Sequence, residues 1–455
     1  MAQNSTQAAP LPAAGKPVRV KPDQIALWFL IACLLLASPL IFADRLPQVL
    51  LVFLALALLL VFIGRALLTR SLLPRTAVDW LNVLALLLVP VGLWASADLS
   101  TSWPAAYKVL AGFALFYGLA GLAGTKWMRA LPWFVLALAT GLGIVVLLTT
   151  RWTPSKIPVL PVSLYAPLPS MRLPMDVNGI HPNLAGNAVA LLLLPAVALA
   201  LWAPNRSLRW TAAAIAILLG FVLLLSQSRG AWVAVGGALA IMPWLRYRRW
   251  WGVVLALVVI AIAVAVLLGP IRLDSMFFPA SVGDEVSVNT LPGRLEIWTR
   301  AITLLRDFGL TGGGAGNFEQ VVLTLYPPFF TGIVGGFSHA HNMYLQMAVD
   351  FGLPGLIVFL ALLMALAASL VTAARLGRAQ PVEDTAVSLA IGLFGSLLVV
   401  AIHGLVDAPL ATPRVYALVF ILFGVAAAAS SHLVGMAGRP IAAENFARIG
   451  DAPHA

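Results

Sequence analysis

"GFSHAHNMYLQMAVDFGLPGLIVFLALLMALAASL", residues 336–370, passes from a polar stretch with two histidines into an apolar run of membrane length. A helix needs about 20 apolar residues to cross a bilayer. Residues 342–374 exceed that, although Gly352, Pro354 and Gly355 interrupt them. The interruption predicts two pieces, a short interfacial helix from about 341 to 351 and then the span proper. Eleven further stretches of similar character surround this one: 24–43, 48–64, 77–97, 104–124, 131–149, 182–203, 208–226, 230–245, 250–269, 386–406 and 409–435. The chain is 61% hydrophobic and 10% charged, with mean hydropathy +0.97, whereas soluble domains carry about 25% charged residues. The predicted fold class is therefore an all-α polytopic membrane protein with about 12 transmembrane helices. Its one cysteine, Cys33, lies inside an apolar run, which leaves no disulfide or thiolate metal site.

Charge placement orients the spans. Cytoplasmic loops collect Lys and Arg. With the amino terminus inside, 17 of the 28 basic residues fall in inner segments, among them Arg65, Lys126, Arg206, Arg246, Arg248, Arg375 and Arg378. The net charge of +11 is thereby assigned to topology, and no nucleic acid partner is expected. The predicted organisation is a disordered cytoplasmic tail (1–22), spans one to five (23–149), an outer loop (150–181), spans six to nine (182–269), a large outer loop (270–341), spans ten to twelve (342–436) and a second cytoplasmic tail (437–455). Both termini are inside. Connections longer than about 15 residues are usually functional or disordered, and these two carry the arginines, tryptophans and histidines of interest. A secondary transporter is the general alternative for twelve spans, but it predicts repeated halves and ionisable groups near mid-membrane. Here the halves do not match and the notable charges crowd the outer face.

Several motifs carry chemistry. In "SQSRGAW" (226–232), Arg229 occupies an outer turn. It reads as a snorkelling arginine, or as a guanidinium for phosphate oxygens with small neighbours leaving room for a ligand. "LPGRLEIWTRAITLLRDFGLTGGGAGNFEQ" (291–320) reads as an amphipathic helix from Arg294 to Arg306, with Leu295, Trp298, Ile302 and Leu305 as an apolar stripe that suits lying on the membrane or against the bundle. Arg294, Arg300 and Arg306 form an anion-binding set or a wet helix face. The glycine run lacks the Lys-Ser/Thr of a phosphate loop and is expected to give a flexible, closely packed turn.

His339 and His341 suit general-base work; the plainer reading is a hydrogen-bonded pair at a helix start. Two positions apart on a helix they would point about 200° away from each other. His341 is then expected to begin the face running through Tyr344, Leu345, Ala348 and Gly352, with His339 in the loop. In "DVNGIHPNLAGNAVALLLLP" (176–195), His181 and Asn183 suit either helix capping or sugar recognition. Lys108 could snorkel outward or add charge to an outer cavity. Asp350, Asp407 and Arg414 could pair with one another, and His403 reads as a buried, uncharged histidine. The carboxylates are scattered, so no metal requirement is expected.

"HNMYLQMAVDFGLPG" (341–355), a His-Asn pair separated by nine residues from Gly-x-x-Gly, resembles the signature of the O-antigen ligase superfamily. "SQSRGAW", "GRLEIW…GGGAGNF" and "HPNLAGNAVALLLLP" are similar to its other recurrent blocks, in the same order, over roughly residues 180–375. The resemblance implies a GT-C-like glycosyltransferase of the bacterial inner membrane, with short amphipathic helices in a large periplasmic loop and the active site at the periplasmic face. It implies that Arg229 and Arg294 engage a polyprenyl diphosphate, to which Arg300 and Lys108 would add charge. It also implies a catalytic outer-loop histidine, His341 by motif, with His339 able to share the role. His181, Asn183, Asn342 and Tyr344 are candidate sugar or acceptor contacts. The expected donor is undecaprenyl-diphosphate-linked O-antigen and the expected acceptor is lipid A-core oligosaccharide, with membrane lipids around them and no cofactor or metal. O-antigen polymerase and protein O-oligosaccharyltransferase acting on pilin are the alternatives within the superfamily.

Overall fold

The computed structural model describes residues 21–152, 161–168, 171, 179–261, 263, 291–328, 337–378 and 385–437. Nearly all of both predicted tails, and residues 270–290 of the large loop, lie outside the described residues. The apolar stretches become helices: α1 (Pro22–Leu40), α2 (Gln48–Thr69), α3 (Asp79–Trp94), α4 (Leu99–Ala120), α5 (Leu131–Thr149), α6 (Pro182–Trp202), α7 (Arg206–Ser226) and α8 (Arg229–Ile241). A helix through residues 251–261 is α9. The large loop contributes α10 (Leu291–Asp307) and α11 (Phe318–Leu325), and α12 (Met343–Arg378), α13 (Thr385–His403) and α14 (Pro413–Ala437) complete the chain. No strand occurs among the described residues. A single bridge between Thr150 and Ile180 closes the neck of the first long loop.

Among the described residues, eight helices are long and apolar enough to cross a membrane: α1, α2, α5, α6, α7, α12, α13 and α14. The other four predicted spans fall short of that test among the described residues. α3 has 16 residues and α8 has 13. α4 has the length but carries Ser100, Thr101, Ser102 and Lys108 near its start, and α9 is described only over 251–261. Pro243 tightens the end of α8 into a 3-10 turn at Met242–Leu245.

Helices α6, α13 and α14 form the centre, with 78%, 72% and 67% of their apolar windows buried; α1 and α2, at 22% and 17%, line the rim. Lipid tails supply no hydrophobic drive between helices, so close backbone approach must hold the bundle together. Gly392 and Gly395 of α13 lie directly on Pro195 and Leu194 of α6. The Ser396 hydroxyl donates to the Leu191 carbonyl at 2.6 Å.

The predicted break in the opening stretch is present. Gly352 has φ 71° and ψ −177°, a conformation essentially confined to glycine, and it separates α12 into 343–351 and 353–378. The glycine-rich turn after α10 fills the break. Leu353 N–H donates to the Gly309 carbonyl at 2.7 Å, and Gly313 N–H to the Val349 carbonyl at 2.8 Å. The same turn then docks on the start of α4, where Asn317 Nδ2 donates to Ser96 Oγ and Ser102 Oγ at 2.8 and 2.6 Å. Asp350 Oδ1 accepts the Gly316 N–H at 3.1 Å. The glycine run is thus a packed strut that holds α10 beside the first piece of α12.

The predicted stripe of α10, which suited either the membrane or the bundle, is divided between the two. Its buried face is Ile297, Ala301 and Leu304, at i, i+4 and i+7, whereas Leu295 and Ile302 are 49% and 46% exposed. An amphipathic helix beside a bilayer can turn apolar side chains outward as well as inward, so apolarity alone does not mark its packed face.

Candidate active site

The histidine loop is pinned from three sides. Ala340 N–H donates to Gln346 Oε1 at 2.8 Å, and the Ala340 carbonyl accepts Trp298 Nε1–H of α10 at 2.9 Å. Asn342 Oδ1 accepts the N–H groups of Tyr344 and Leu345, both at 3.0 Å, which caps α12 and starts it at Met343. The third side is the end of α13. Asn342 Nδ2 donates to the Leu405 carbonyl at 3.0 Å, Met343 N–H to the Gly404 carbonyl at 2.8 Å, and Tyr344 hydroxyl to the Ala401 carbonyl at 2.7 Å. Asn342 and Tyr344, expected as sugar contacts, therefore build the frame.

That frame brings Asp407 to the histidines. His341 Nδ1 lies 3.4 Å from Asp407 Oδ1 as an ion-pair contact, and among the described residues this buried nitrogen has no hydrogen-bond partner. His339 Nδ1 accepts the His341 backbone N–H at 3.1 Å, and the two rings lie 4.2 Å apart. His341 has φ 47°, a left-handed conformation uncommon outside glycine. The expectation that the two histidines diverge is corrected: neither is in the helix, so the helical angle between them does not apply, and both face Asp407. The expected pairing of Asp407 with Asp350 or Arg414 gives way to this contact.

Two arginines border the cluster. Arg294 of α10 donates to the Val406 carbonyl and faces Asp407 electrostatically. Arg229 begins α8, and the next residue, Gly230, packs so tightly on the end of α13 that a Cβ there would lie 2.9 Å from the His403 ring and 3.1 Å from Val406. The arginine turn thus leans on the segment that carries Asp407. Two other predicted cations are engaged elsewhere. Arg300 donates to Glu296 Oε1 through Nε and Nη2 at 2.9 and 2.6 Å, and Lys108 lies in the field of Asp350 and Asp44. His181 Nδ1 accepts the Asn183 N–H at 3.2 Å, the capping role, at the start of α6.

Sequence reasoning missed Asp407 and His403 as members of the cluster. "HGLVD" (403–407) held a signal, because His and Asp at i and i+4 at a helix end share one face. One of the scattered carboxylates, Asp407, meets two histidines: His339, His341 and Asp407 present ligand atoms within 4.8 Å of one another, a group chemically able to hold a metal ion. The Arg294 guanidinium facing the same carboxylate opposes a second cation.

Burial, reinforced by His341 and Arg294 and opposed by Asp407, pushes His339 down to about 4, so it is neutral at pH 7. Burial would raise Asp407, but its interactions with His341 first, and then with His403 and His339, hold it well below the usual carboxylate range. Below pH 6.5 the unfolded chain protonates the His339 position, while the folded protein resists until about pH 4. Folded stability is expected to fall through that window, by about 2 kcal/mol at pH 5. His339→Gln should flatten the fall, read from melting temperatures in detergent at neutral pH and about pH 5. Equal acid sensitivity in the two proteins would refute it.

Residues 214–360 match a family model described as O-antigen ligase, in agreement with the superfamily resemblance read from the sequence. No curated protein sequence matches the chain. The matched stretch contains Arg229, Arg294 and both histidines, and stops before His403 and Asp407.

Proposed function

We propose, proceeding from that match and from the cluster around Asp407, that the chain is an inverting, polyprenyl-diphosphate-dependent glycosyltransferase. It moves O-antigen from undecaprenyl diphosphate to lipid A-core at the periplasmic face of the bacterial inner membrane. The observation that carries this reading is the convergence of His341, Asp407, Arg294 and the Arg229 turn, which come from four separate elements.

In this mechanism Asp407 orients His341 through Nδ1 and leaves Nε2 free to take a proton. The acceptor hydroxyl loses its proton to Nε2, and its oxygen forms a bond to the anomeric carbon of the donor sugar. The bond from that carbon to the diphosphate oxygen breaks, and its electron pair leaves on undecaprenyl diphosphate. One displacement inverts the anomeric configuration. Arg229 and Arg294 counter the charge developing on the diphosphate, so the leaving group needs no separate acid. The polyprenyl tail stays in the bilayer, because withdrawing it would cost about 0.8 kcal/mol per CH₂.

Purified protein with lipid-linked O-antigen and lipid A-core is expected to yield glycosylated core. Arg229→Ala and Arg294→Ala should each lower kcat/KM by about 10²- to 10³-fold. If the donor glycan instead lengthens on its own lipid while the core stays unmodified, the protein is a polymerase and the acceptor assignment fails. In cells, loss of the protein should leave lipid A-core without any O-antigen; core bearing one repeat would again identify a polymerase.

A further inference from the structure

The second piece of α12, residues 353–378, carries the chain about 40 Å away from the histidine end. At its far end five arginines gather from two distant parts of the sequence: Arg246, Arg248 and Arg249 after α8, and Arg375 and Arg378 closing α12. Arg378 Nη1 donates to the Arg246 carbonyl at 3.2 Å. The Arg375 guanidinium lies 5.5 Å from the Trp244 ring centroid. Arg375, Arg246 and Arg248 all act on Arg378 as like charges.

Positive-inside topology explains why each loop is basic, but not why the two basic segments converge. Like charges brought together repel, and among the described residues no carboxylate lies within 4.0 Å of any of the five. Among the described residues the buried Arg378 Nε has no hydrogen-bond partner, a state that costs free energy unless a ligand supplies an acceptor. Among the described residues nothing anionic balances the cluster.

The surroundings say where an anion would come from. Trp202 and Tyr247 meet with ring centroids 6.3 Å apart, and Trp251 is 59% exposed, which is the aromatic lining of a bilayer interface. Helix α9 leaves directly from this point. Its side chains Val253, Leu255, Leu257, Val259 and Ile260 are exposed, an apolar flank next to the charged cluster. We propose that Arg246, Arg248, Arg375 and Arg378 form a binding site for the phosphate of an anionic phospholipid, with the acyl chains lying along α9. Basic pockets between helices, flanked by apolar surface, take lipid headgroups in this way. The site is at the opposite end of the bundle from the histidines and is independent of the glycosyl-transfer reading.

The test uses the full-length protein in detergent, titrated with cardiolipin, phosphatidylglycerol, phosphatidylcholine or inorganic pyrophosphate, and read by native mass spectrometry and thermal melting. Cardiolipin and phosphatidylglycerol are expected to remain bound and to raise the melting temperature, whereas phosphatidylcholine does neither. An Arg246→Gln/Arg378→Gln variant should bind the anionic lipids about 10-fold more weakly or worse. An Arg206→Gln/Arg209→Gln variant, with the same change in charge elsewhere, should bind them as the parent does. Should the first variant fail to fold, Arg248→Gln, at an exposed position, replaces it and is expected to weaken binding in the same direction. Equal weakening by the Arg206/Arg209 control reduces the effect to general charge and overturns the site. Stabilisation by pyrophosphate equal to that by lipid identifies a soluble anion and overturns the lipid assignment.

Discussion

His341→Ala is expected to lower glycan transfer by about 10²- to 10⁴-fold, the usual contribution of a general base. On the proposed mechanism its neighbour does not take over. His339 Nδ1 is already accepting the His341 N–H, and its ring is pushed down to about 4, too weakly basic to take a proton efficiently near pH 7. Because residue 341 is left-handed, alanine there adds backbone strain that could mimic a catalytic defect. His341→Asn controls for this, since asparagine tolerates that conformation but supplies no base. Both variants should melt near the parent temperature, with Asn closer, and both should be inactive in single-turnover assays with purified donor and acceptor. Asp407→Asn should lose less activity and shift the pH profile, as expected of a residue that orients the imidazole and does not touch the substrate. Full activity in either His341 variant would end its role as base. Activity lost in His339→Ala but kept in His341→Asn would move that role to the neighbour.

Gly352→Ala should be among the most destabilising single changes in the protein. The backbone there, at φ 71° and ψ −177°, strains any side chain by about 1–3 kcal/mol. A Cβ would also lie 2.3 Å from the Leu310 carbonyl oxygen, which cannot yield without moving the glycine-rich turn. Displacing that turn frees α10, and with it Arg294 and the Trp298 bond that pins the histidine loop, so activity should fall together with stability by roughly 3 kcal/mol or more. Gly64→Ala is the matched control: it lies in α2 with nothing within 4 Å, and it should leave melting unchanged or slightly raised. If Gly352→Ala melts with the parent, the kink does not hold the strut, and the coupling between the glycine turn and the active site is wrong.

Run length and local chemistry made much of this protein legible before any fold was known. Apolar stretches of spanning length become helices because a buried backbone must satisfy its own hydrogen bonds within each segment. The break at Gly352 was visible because glycine and proline act locally. Arg229, Arg294 and the histidines were visible as residue types out of place beside a membrane. What depended on distant partners was not. His341 meets Asp407 across an entire helical hairpin, through caps and carbonyl contacts that belong to no single motif. The relation between His339 and His341 turned on where α12 starts, which Asn342 decides by capping it one residue after His341. Which side of α10 packs was open in the sequence, and Leu295 and Ile302 proved to be on its exposed side, because apolar side chains next to lipid gain as much by facing outward as inward. Sequence alone determined that the chain is a helical membrane protein with its reactive groups at helix ends. Only tertiary packing decided which of those groups meet, because contacts between distant segments are set by the fit of whole helices and not by the spacing of residues along one of them.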